Sequence, residues 1–409
     1  KYLTPTTEAF DQREPEFEGQ TGLGVILVAR VIANVPYRLT TFFLPAISRG
    51  LDVSLSAGGA LVSIASLMGL MAPFFGVYSD RAGGRRTMVF GTAVFAVGAL
   101  LMAGLPWYGA AIVAFGLIGL AKMAFDPGMQ VFLGQRVPYE QRGRVLGLSE
   151  LAWAFSLLAM PLCRWLIETV NWRAPFLLLG VVGVPVWWLT RRALPDDMPP
   201  NAPARGTERG DRTIFADLYD QVEQVVRDPQ SLLALAPMAL IGFAQVNLLV
   251  VYGAWMEDRF GLSVANLGLV TLVIGAAELV AELAVAYVAD RAGKRRSVFV
   301  AVLLTGLAYL VLPHLTDSLA WALAGTAVMT FFFEFTIVAL LPLLSGMNAE
   351  ARGTVMSLGR AAGAASRAIA APVGVALYSF GDITRNGPLS AAVCFLILLL
   401  LLRLRERGH

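Results

Sequence analysis

Hydrophobic residues are gathered into twelve runs along this chain, and the polar residues lie mainly between them. A helix that crosses a lipid bilayer needs about 20 mostly apolar residues, and each run reaches or approaches that length. The pattern therefore predicts an all-α integral membrane protein of about twelve transmembrane helices. The predicted helices cover residues 22–46, 57–78, 87–105, 108–133, 143–168, 174–191, 231–256, 266–289, 297–313, 318–344, 353–380 and 386–403.

The composition agrees with a protein whose surface faces lipid. Of the 409 residues, 57% are hydrophobic and 15% are charged, whereas soluble domains have about 45–50% and about 25%. The formal net charge is +3, but the basic residues are grouped between the apolar runs. That grouping indicates membrane orientation and predicts no nucleic-acid partner. Both cysteines lie inside apolar runs, and we expect no disulfide framework, no metal site and no cofactor.

Arginine and lysine are concentrated in every second loop and at the C-terminus. Loops of this kind stay in the cytoplasm, so we predict a multi-pass protein of the cell (inner or plasma) membrane with both termini cytoplasmic. The expected parts are a cytoplasmic tail (1–20), an N-terminal six-helix bundle (21–191), a cytoplasmic linker (192–230) and a C-terminal six-helix bundle (231–405). Within the linker, helical spacing of apolar residues over 214–226 predicts an amphipathic helix. Such a helix either lies on the membrane surface or packs as a soluble linker helix.

Two sequence motifs occur twice with the same offset. The segment GVYSDRAGGRR at 76–86 returns as AYVADRAGKRR at 286–296, and EQRGRVLGL at 140–148 returns as EARGTVMSL at 350–358. In both cases the shift is 210 residues, and it relates Asp80 to Asp290 and Arg142 to Arg352. The helices are therefore predicted to form two six-helix pseudo-repeats in parallel orientation.

The repeated loop resembles the signature of the major facilitator superfamily, and the resemblance covers the chain from about residue 21 to 405. It implies the fold of that superfamily and a gating role for the loop, which would clamp the two halves together at the cytoplasmic side. An alternative is that these loops only set the membrane topology. The first copy consists of Gly76, Asp80, Arg81, Gly83, Arg85 and Arg86. The second copy has Ala286 in place of the first glycine and keeps Asp290, Arg291, Gly293, Arg295 and Arg296; the second repeated motif adds Arg142 and Arg352.

The chain departs from the drug exporters of that superfamily. Those exporters carry an arginine before a Gly-x-Gly run in helix 4 and a glycine-rich run in helix 5. Here no arginine is near Gly116, and the helix 5 stretch keeps Pro161 without the glycines. The resemblance therefore does not favour a standard multidrug antiporter.

Many ionisable residues lie inside the predicted helices. Each costs about 2.5–3.5 kcal/mol in lipid by insertion scales, so such residues usually face a cavity. Similar depths predict a network of Arg30, Asp126 and Glu150. The candidate substrate or coupling residues of the first half are Arg30, Asn34, Arg38, Lys122, Asp126, Glu150 and Trp153. Those of the second half are Glu278, Glu282, Glu334, Arg360 and Arg367. The alternative interpretation is that these charges only stabilise the bundle.

These features favour a secondary active transporter that works by alternating access and is coupled to protons as a symporter or antiporter. Burial favours the neutral form of a carboxyl group, so Asp126, Glu278, Glu282 and Glu334 are candidate proton carriers. The five central basic residues and apolar walls suit a small organic, amphiphilic or anionic, solute, including a lipid-like one. Alternatives are a lipid or drug efflux carrier of the same fold, or a non-transporting assembly factor or sensor. We expect a monomer whose partners are a small-molecule or lipid-like substrate, protons and membrane lipids.

An enzyme is not expected, since no set of nucleophile, base and acid is grouped in any motif. No GxxxxGK[ST] loop occurs either, which argues against an ATP-driven pump.

Overall fold

The computed structural model describes residues 20–105, 107–137, 145, 149, 151–197, 213, 216, 219, 220, 222, 223, 227–347, 352–380 and 382–403. These residues contain helices and no β-strand. The α-helices are α1 (Gln20–Gly50), α2 (Leu55–Leu67), α3 (Ala72–Ala82), α4 (Gly84–Gly104), α5 (Tyr108–Arg136), α6 (Met160–Thr169), α7 (Ala174–Ala193), α8 (Pro229–Leu249), α9 (Tyr252–Phe260), α10 (Val264–Ala292), α11 (Lys294–Val311), α12 (Leu319–Met347), α13 (Arg352–Ser379) and α14 (Ile383–Arg403). Short 3₁₀ turns cover Met68–Met71, Ser156–Ala159 and Leu312–His314.

The predicted number of membrane-length helices is confirmed. Eleven segments of the described chain are long and apolar enough to cross a membrane. The further one is α10, a continuous helix of 29 residues. Large apolar side chains on the outer faces are more than half exposed, as in Val97, Leu158, Leu283 and Leu399. An apolar surface of this extent suits lipid and not water, so the chain is a multi-pass membrane protein.

Three of the expected helices divide into separate elements, and a fourth, α1, is kinked at Phe43, where φ is −113° and ψ is 17°. The second contains the 3₁₀ turn Met68–Met71, and the fifth contains Ser156–Ala159. The seventh is broken between α8 and α9 at Val250 and Val251. Hydrophobic periodicity predicts one continuous helix at each place, because a local break leaves the periodic pattern nearly unchanged.

Local signals explain several helix ends. The hydroxyl of Ser54 caps α2 by accepting a hydrogen bond from the backbone N–H of Ala57 at 3.2 Å. Asp228 caps α8, and Pro229 occupies its first turn, where a missing N–H costs nothing. Gly261 ends α9 in the left-handed conformation, with φ of 60°.

The helix ends repeat with the offset found in the sequence. The ends Gly50, Ala82, Thr169 and Ala193 recur 210 residues later as Phe260, Ala292, Ser379 and Arg403.

A tertiary hydrogen bond repeats as well. Arg85 Nη2 donates to the carbonyl of Arg191 at 2.5 Å, and Arg295 Nη2 donates to the carbonyl of Leu401 at 3.0 Å. Both residues of the second bond lie 210 positions after those of the first, so the two halves share their architecture in detail.

In the described part of the chain the two halves meet along five helix pairs: α2 with α13, α3 with α13, α6 with α10, α1 with α9, and α1 with α10. Two approaches between the halves are close because a glycine of α10 faces the 3₁₀ turn Ser156–Ala159 and a glycine of α9 faces α1. A Cβ added to Gly275 would lie 2.9 Å from Leu157, and one added to Gly253 would lie 2.5 Å from the carbonyl oxygen of Phe42. Small residues of this kind let membrane helices approach each other closely.

The second expected helix, formed by α2, the turn Met68–Met71 and α3, packs closely against α13 at two of its glycines. A Cβ added to Gly76, the first glycine of the loop motif, would meet no described atom within 4 Å. Close packing is found at Gly69 and Gly59 instead. A Cβ on Gly69 would overlap the Cβ of Ala364, and one on Gly59 would lie 3.0 Å from Val375.

The tail and most of the linker, with its predicted amphipathic helix, lie outside the described residues. The division of the chain into tail, bundles and linker therefore stays a prediction.

Candidate functional site

One face of α1 carries three basic and polar side chains. Arg30, Asn34 and Arg38 are spaced by four residues, so they lie on one face of the helix. All three are buried. This face meets charged residues of α5 on one side and of α10 on the other.

The first group of charges lies within the N-terminal half. Arg30 Nε is 3.5 Å from Asp126 Oδ1, and Lys122 Nζ is 3.1 Å from Asp126 Oδ2. Lys122 also donates to Asn34 Oδ1 at 2.6 Å, and Arg30 donates to the Ser149 hydroxyl at 3.1 Å. The Oδ1 atom of Asp126 accepts no hydrogen bond from the described residues. Asp126 is therefore shared between two cations and retains acceptor capacity.

The second group joins the two halves. The Arg38 guanidinium forms a bidentate ion pair with Glu278 on α10; the Nη1–Oε1 distance is 2.8 Å, and Nη2 donates to Oε2. Nη2 also donates to the carbonyl of Trp153 at 3.2 Å, and Nε contacts the Ser156 hydroxyl at 3.4 Å. The two side chains are only 5% and 2% exposed. A charge pair buried this deeply is stable only while both partners are present.

Aromatic rings connect the two groups. The guanidinium of Arg38 lies over the ring of Trp153 at 3.9 Å from its centroid. Lys122 Nζ lies 5.8 Å from the ring centroids of both Trp153 and Tyr37. Such cation–π contacts place flat apolar surfaces beside the charges, so the site can contact both an anionic group and a flat apolar body.

The C-terminal half contributes two arginines on α13. Arg360 donates to Gln130 of α5 at 3.1 Å, which is a second contact between the halves. No hydrogen bond or ion pair joins Arg367 to another residue in the described part of the chain. Glu278 and Glu282 lie one turn apart on α10, and Glu334 is buried on α12. We call the residues Arg30, Asn34, Tyr37, Arg38, Lys122, Asp126, Trp153, Glu278, Arg360 and Arg367 the central charged cluster.

At the far end of the interface a further ion pair crosses between the halves. Arg49 at the end of α1 forms a bidentate pair with Glu257 of α9, at 2.9 and 3.2 Å. Nearby, the Tyr378 hydroxyl of α13 donates to Asp258 at 2.6 Å. Helices α1, α9 and α13 are therefore tied together at this end.

The loop between α3 and α4 is tied to the segment after α7. Gly83 adopts φ of 101°, which favours glycine. The carboxylate of Asp197 accepts hydrogen bonds from the backbone N–H groups of Arg85 at 2.7 Å and Arg86 at 3.1 Å. A carboxylate at a helix N-terminus is favoured by the helix dipole. The first copy of the motif thus has a defined shape that Asp197 stabilises.

Not every predicted site residue can be located. Glu150 and Arg142 lie outside the described residues, as do the side chains of Asp290, Arg291 and Arg352. Asp80 is exposed and Arg81 half-buried at the end of α3. Five residues at these contacts were not predicted from the sequence: Tyr37, Gln130, Ser149, Ser156 and Asp197.

A metal site in a protein is formed by several clustered side chains. In the part of the chain that the structure describes, no group of three His, Cys, Asp or Glu residues could hold a metal ion.

Comparison with known proteins agrees with this architecture. The chain is 24% identical over 351 residues to the uncharacterized MFS-type transporter YceJ of Bacillus subtilis (strain 168), with 83% of this chain and 86% of that protein covered. It is 27% identical over 344 residues to the transcription regulatory protein OpdE of Pseudomonas aeruginosa, with 79% and 81% covered. The crystal structure of the human organic anion transporter MFSD10 (TETRAN) has a similar fold, with a TM-score of 0.68, 17% identity, and 93% of this chain and 98% of that chain covered.

The sequence model of the Major Facilitator Superfamily matches residues 26–371 and 235–409. Transporters, and not enzymes, make up this family and fold. From its sequence and its fold, this chain belongs to the Major Facilitator Superfamily and is a membrane transporter.

Proposed function

We propose that this transporter moves small organic anions by alternating access and couples their movement to protons. The observation that carries the proposal is the buried Arg38–Glu278 ion pair, which joins the two halves. Alternating access requires the halves to separate on each side of the substrate in turn. A pair that bridges them must therefore open during the cycle.

A proton can open this pair without leaving an unpaired charge on the acid. When Glu278 takes up a proton it becomes neutral and releases Arg38, which cannot lose its own charge. The freed guanidinium then lacks an acidic partner, and an anionic substrate can supply one. Proton and anion would thus bind together, which describes a symporter; transport in the opposite direction would use the same steps in reverse order.

The charge balance of the central charged cluster supports an anionic substrate. Asp126 is shared by Arg30 and Lys122, while Arg360 contacts a neutral amide. The rings of Tyr37 and Trp153 offer apolar surface beside these cations. An amphiphilic organic anion matches both features, because its charged group and its apolar body each find a partner.

The loop motif is proposed to gate the same cycle. Asp80 and Arg81 would clamp the halves at the motif end, the end of the bundle that carries Gly83 and Gly293. Asp290, Arg291, Arg142 and Arg352 are proposed to act in the same way. The arginine-rich loops favour an orientation in the cell membrane that puts this end in the cytoplasm.

The proposal is tested with purified protein in proteoliposomes. Uptake of radiolabelled benzoate and related aryl carboxylates is measured with and without an inward proton gradient. We expect the gradient to drive uptake, and we expect Glu278→Gln to lose the gradient dependence while retaining exchange of labelled for unlabelled solute. Glu168→Gln is the matched control, because Glu168 pairs with Arg164 at a distance of 3.4 Å at a partly exposed position on α6.

Two results would contradict the proposal. Gradient-driven uptake in Glu278→Gln equal to that of the parent would exclude this residue as the proton carrier. Uptake by the parent that does not respond to the gradient would exclude proton coupling altogether.

A second candidate function is a non-transporting sensor of the same fold. The name of the relative OpdE describes a transcription regulatory protein, which motivates this alternative. A sensor would bind its ligand and shift in melting temperature without moving the ligand into vesicles. Saturable uptake in the same proteoliposomes would therefore favour transport over sensing.

A further inference from the structure

Arg367 is a cation near the middle of α13, a helix that also packs against α2 of the other half. Other basic residues of the central charged cluster have protein partners: Lys122 pairs with Asp126, Arg38 with Glu278, and Arg360 with Gln130. Arg367 has neither a hydrogen bond nor an ion pair to any other residue described by the structure. A guanidinium with five donors and no acceptor is an incomplete site.

Two glycines make room for this side chain. A Cβ on Gly242 of α8 would lie 3.4 Å from both Cγ and Nη1 of Arg367. A Cβ on Gly363, one turn earlier on α13, would lie 3.2 Å from Nη1. Arg367 therefore extends back along its own helix into a slot between α8 and α13, and the slot fixes the position of the guanidinium.

The Tyr37 hydroxyl of α1 complements this cation. The hydroxyl is close enough to interact electrostatically with both Asp126 of the N-terminal half and Arg367 of the C-terminal half. No hydrogen bond of this hydroxyl to another described residue is found. Its ring also faces Lys122. A hydroxyl donor and a guanidinium that both lack an acceptor among the described residues, within electrostatic range of each other, are suited to an oxyanion.

We propose that Arg367 and the Tyr37 hydroxyl form the anion subsite of this carrier, and that the subsite takes the carboxylate of a small organic acid with a flat apolar body. The guanidinium fork matches the two oxygens of a carboxylate, and the hydroxyl donates to one of them. The flat body lies against the rings of Tyr37 and Trp153. This inference rests on the proposed function, since it names the substrate class of the same site.

The subsite also gives an order to the binding events. Arg367 can hold a carboxylate while Arg38 is still paired with Glu278. Protonation of Glu278 then adds a second cation to the site. The resting protein would bind the anion through Arg367 and Tyr37 first.

Thermal unfolding of the purified protein tests the subsite directly. The probes are benzoate, phenylacetate and indole-3-carboxylate, each paired with its neutral amide of the same shape. We expect at least one carboxylate to raise the melting temperature of the parent protein in a saturable way, and its amide to have no such effect. Arg367→Gln should abolish the response, and Tyr37→Phe should weaken the apparent affinity about tenfold, as expected for the loss of one hydrogen bond to a charged group.

Two variants keep the test interpretable. Arg367→Lys retains the charge but loses the fork, so we expect a weaker response than in the parent and a stronger one than in Arg367→Gln. Arg164→Gln removes a cation from a partly exposed pair on α6 and should respond like the parent. If Arg367→Gln does not fold, the contrast between carboxylate and amide and the Arg367→Lys variant still decide the question.

The proposal would be overturned if no carboxylate stabilises the parent, if the amides stabilise it equally, or if Arg367→Gln responds like the parent. Failure of the proposed function looks different. Carboxylate binding that depends on Arg367, without uptake into vesicles, would contradict transport and leave the subsite in place. Uptake that is unchanged in Arg367→Gln would support transport and contradict the subsite.

Discussion

The Arg38–Glu278 pair gives the sharpest test of how the two halves are held together. Both side chains are almost fully buried and are joined by two hydrogen bonds between charged groups. Removing one partner of such a pair costs about 3–5 kcal/mol, because the other charge stays buried without compensation. That range corresponds to about two to four powers of ten in the ratio of folded to unfolded protein.

We therefore expect Arg38→Met and Glu278→Leu each to lower the melting temperature of the purified protein clearly. The double variant, which replaces the pair by two apolar side chains of similar size, should recover most of the loss. Thermal unfolding in detergent, followed by tryptophan fluorescence, measures all three variants. Arg164→Gln and Glu168→Gln are the controls, since a partly exposed pair contributes less than about 1 kcal/mol.

The two single variants should also respond differently to pH. In Arg38→Met the remaining buried acid can become neutral by taking up a proton. Its destabilisation should therefore shrink as the pH is lowered, which means that stability falls as the pH rises. In Glu278→Leu the remaining arginine keeps its charge at every accessible pH, so its destabilisation should not depend on pH in this way.

Two results would refute this reasoning. Single variants that unfold at the temperature of the parent would mean that the pair does not contribute to stability. A double variant whose loss equals the sum of the two single losses would mean that the residues act independently.

Two further predictions concern helix packing and helix capping. Gly69→Ala should lower the melting temperature, because the added Cβ would overlap Ala364; overpacking of this kind destabilises a protein by about 1–3 kcal/mol. In Gly76→Ala the added Cβ meets no described atom, so this variant should unfold at or above the melting temperature of the parent. Asp197→Ala should lower the free energy of unfolding by about 0.5–2 kcal/mol, because it removes the cap of α4. The control is Asp196→Ala, which removes an ion pair made by an almost fully exposed carboxylate and should change the free energy of unfolding by less than about 1 kcal/mol. Equal losses in the two variants would contradict the capping role.

The fold was predictable because a helix that crosses the bilayer must contain enough apolar residues to span its thickness. Apolar runs of membrane length predict the helices, and repeated loop motifs predict the two halves. Helix breaks such as the one at Val250 were not predictable, since they leave hydrophobicity unchanged. The place where α2 and α13 meet was not predictable either, because glycine is common in membrane helices and the sequence does not mark which glycine faces a neighbour.

The candidate site was predictable within one half and less so between halves. Depth along the helix suggested that Arg30 meets Asp126, and spacing of four residues suggested the same for Lys122. The pairing of Arg38 with Glu278 depends on how α1 and α10 are placed across the interface between the halves, and helical spacing within one segment does not report that. Tyr37 was missed for a related reason, since an aromatic residue in a membrane helix usually contacts lipid or the core.

The repeat offers a way to separate residues that build the fold from residues that act on a solute. Residues that shape the bundle recur at the same offset: Gly83 returns as Gly293, and the hydrogen bond made by Arg85 returns at Arg295. Three charged residues of the site do not recur in this way: Arg38, Glu278 and Arg367.

At the positions that the repeat relates to these three residues, the side chains are apolar. The counterpart of Arg38 is Leu248, that of Glu278 is Met68, and that of Arg367 is Leu157. Each half is therefore able to fold as a helical bundle with an apolar residue at these positions. An ionisable residue in a membrane helix is energetically costly. Its presence in one half alone is therefore best explained by a role in binding or transport, which folding of the bundle does not require. An asymmetric arrangement of charge between two similar halves can bind a solute that has one charged end and one apolar end.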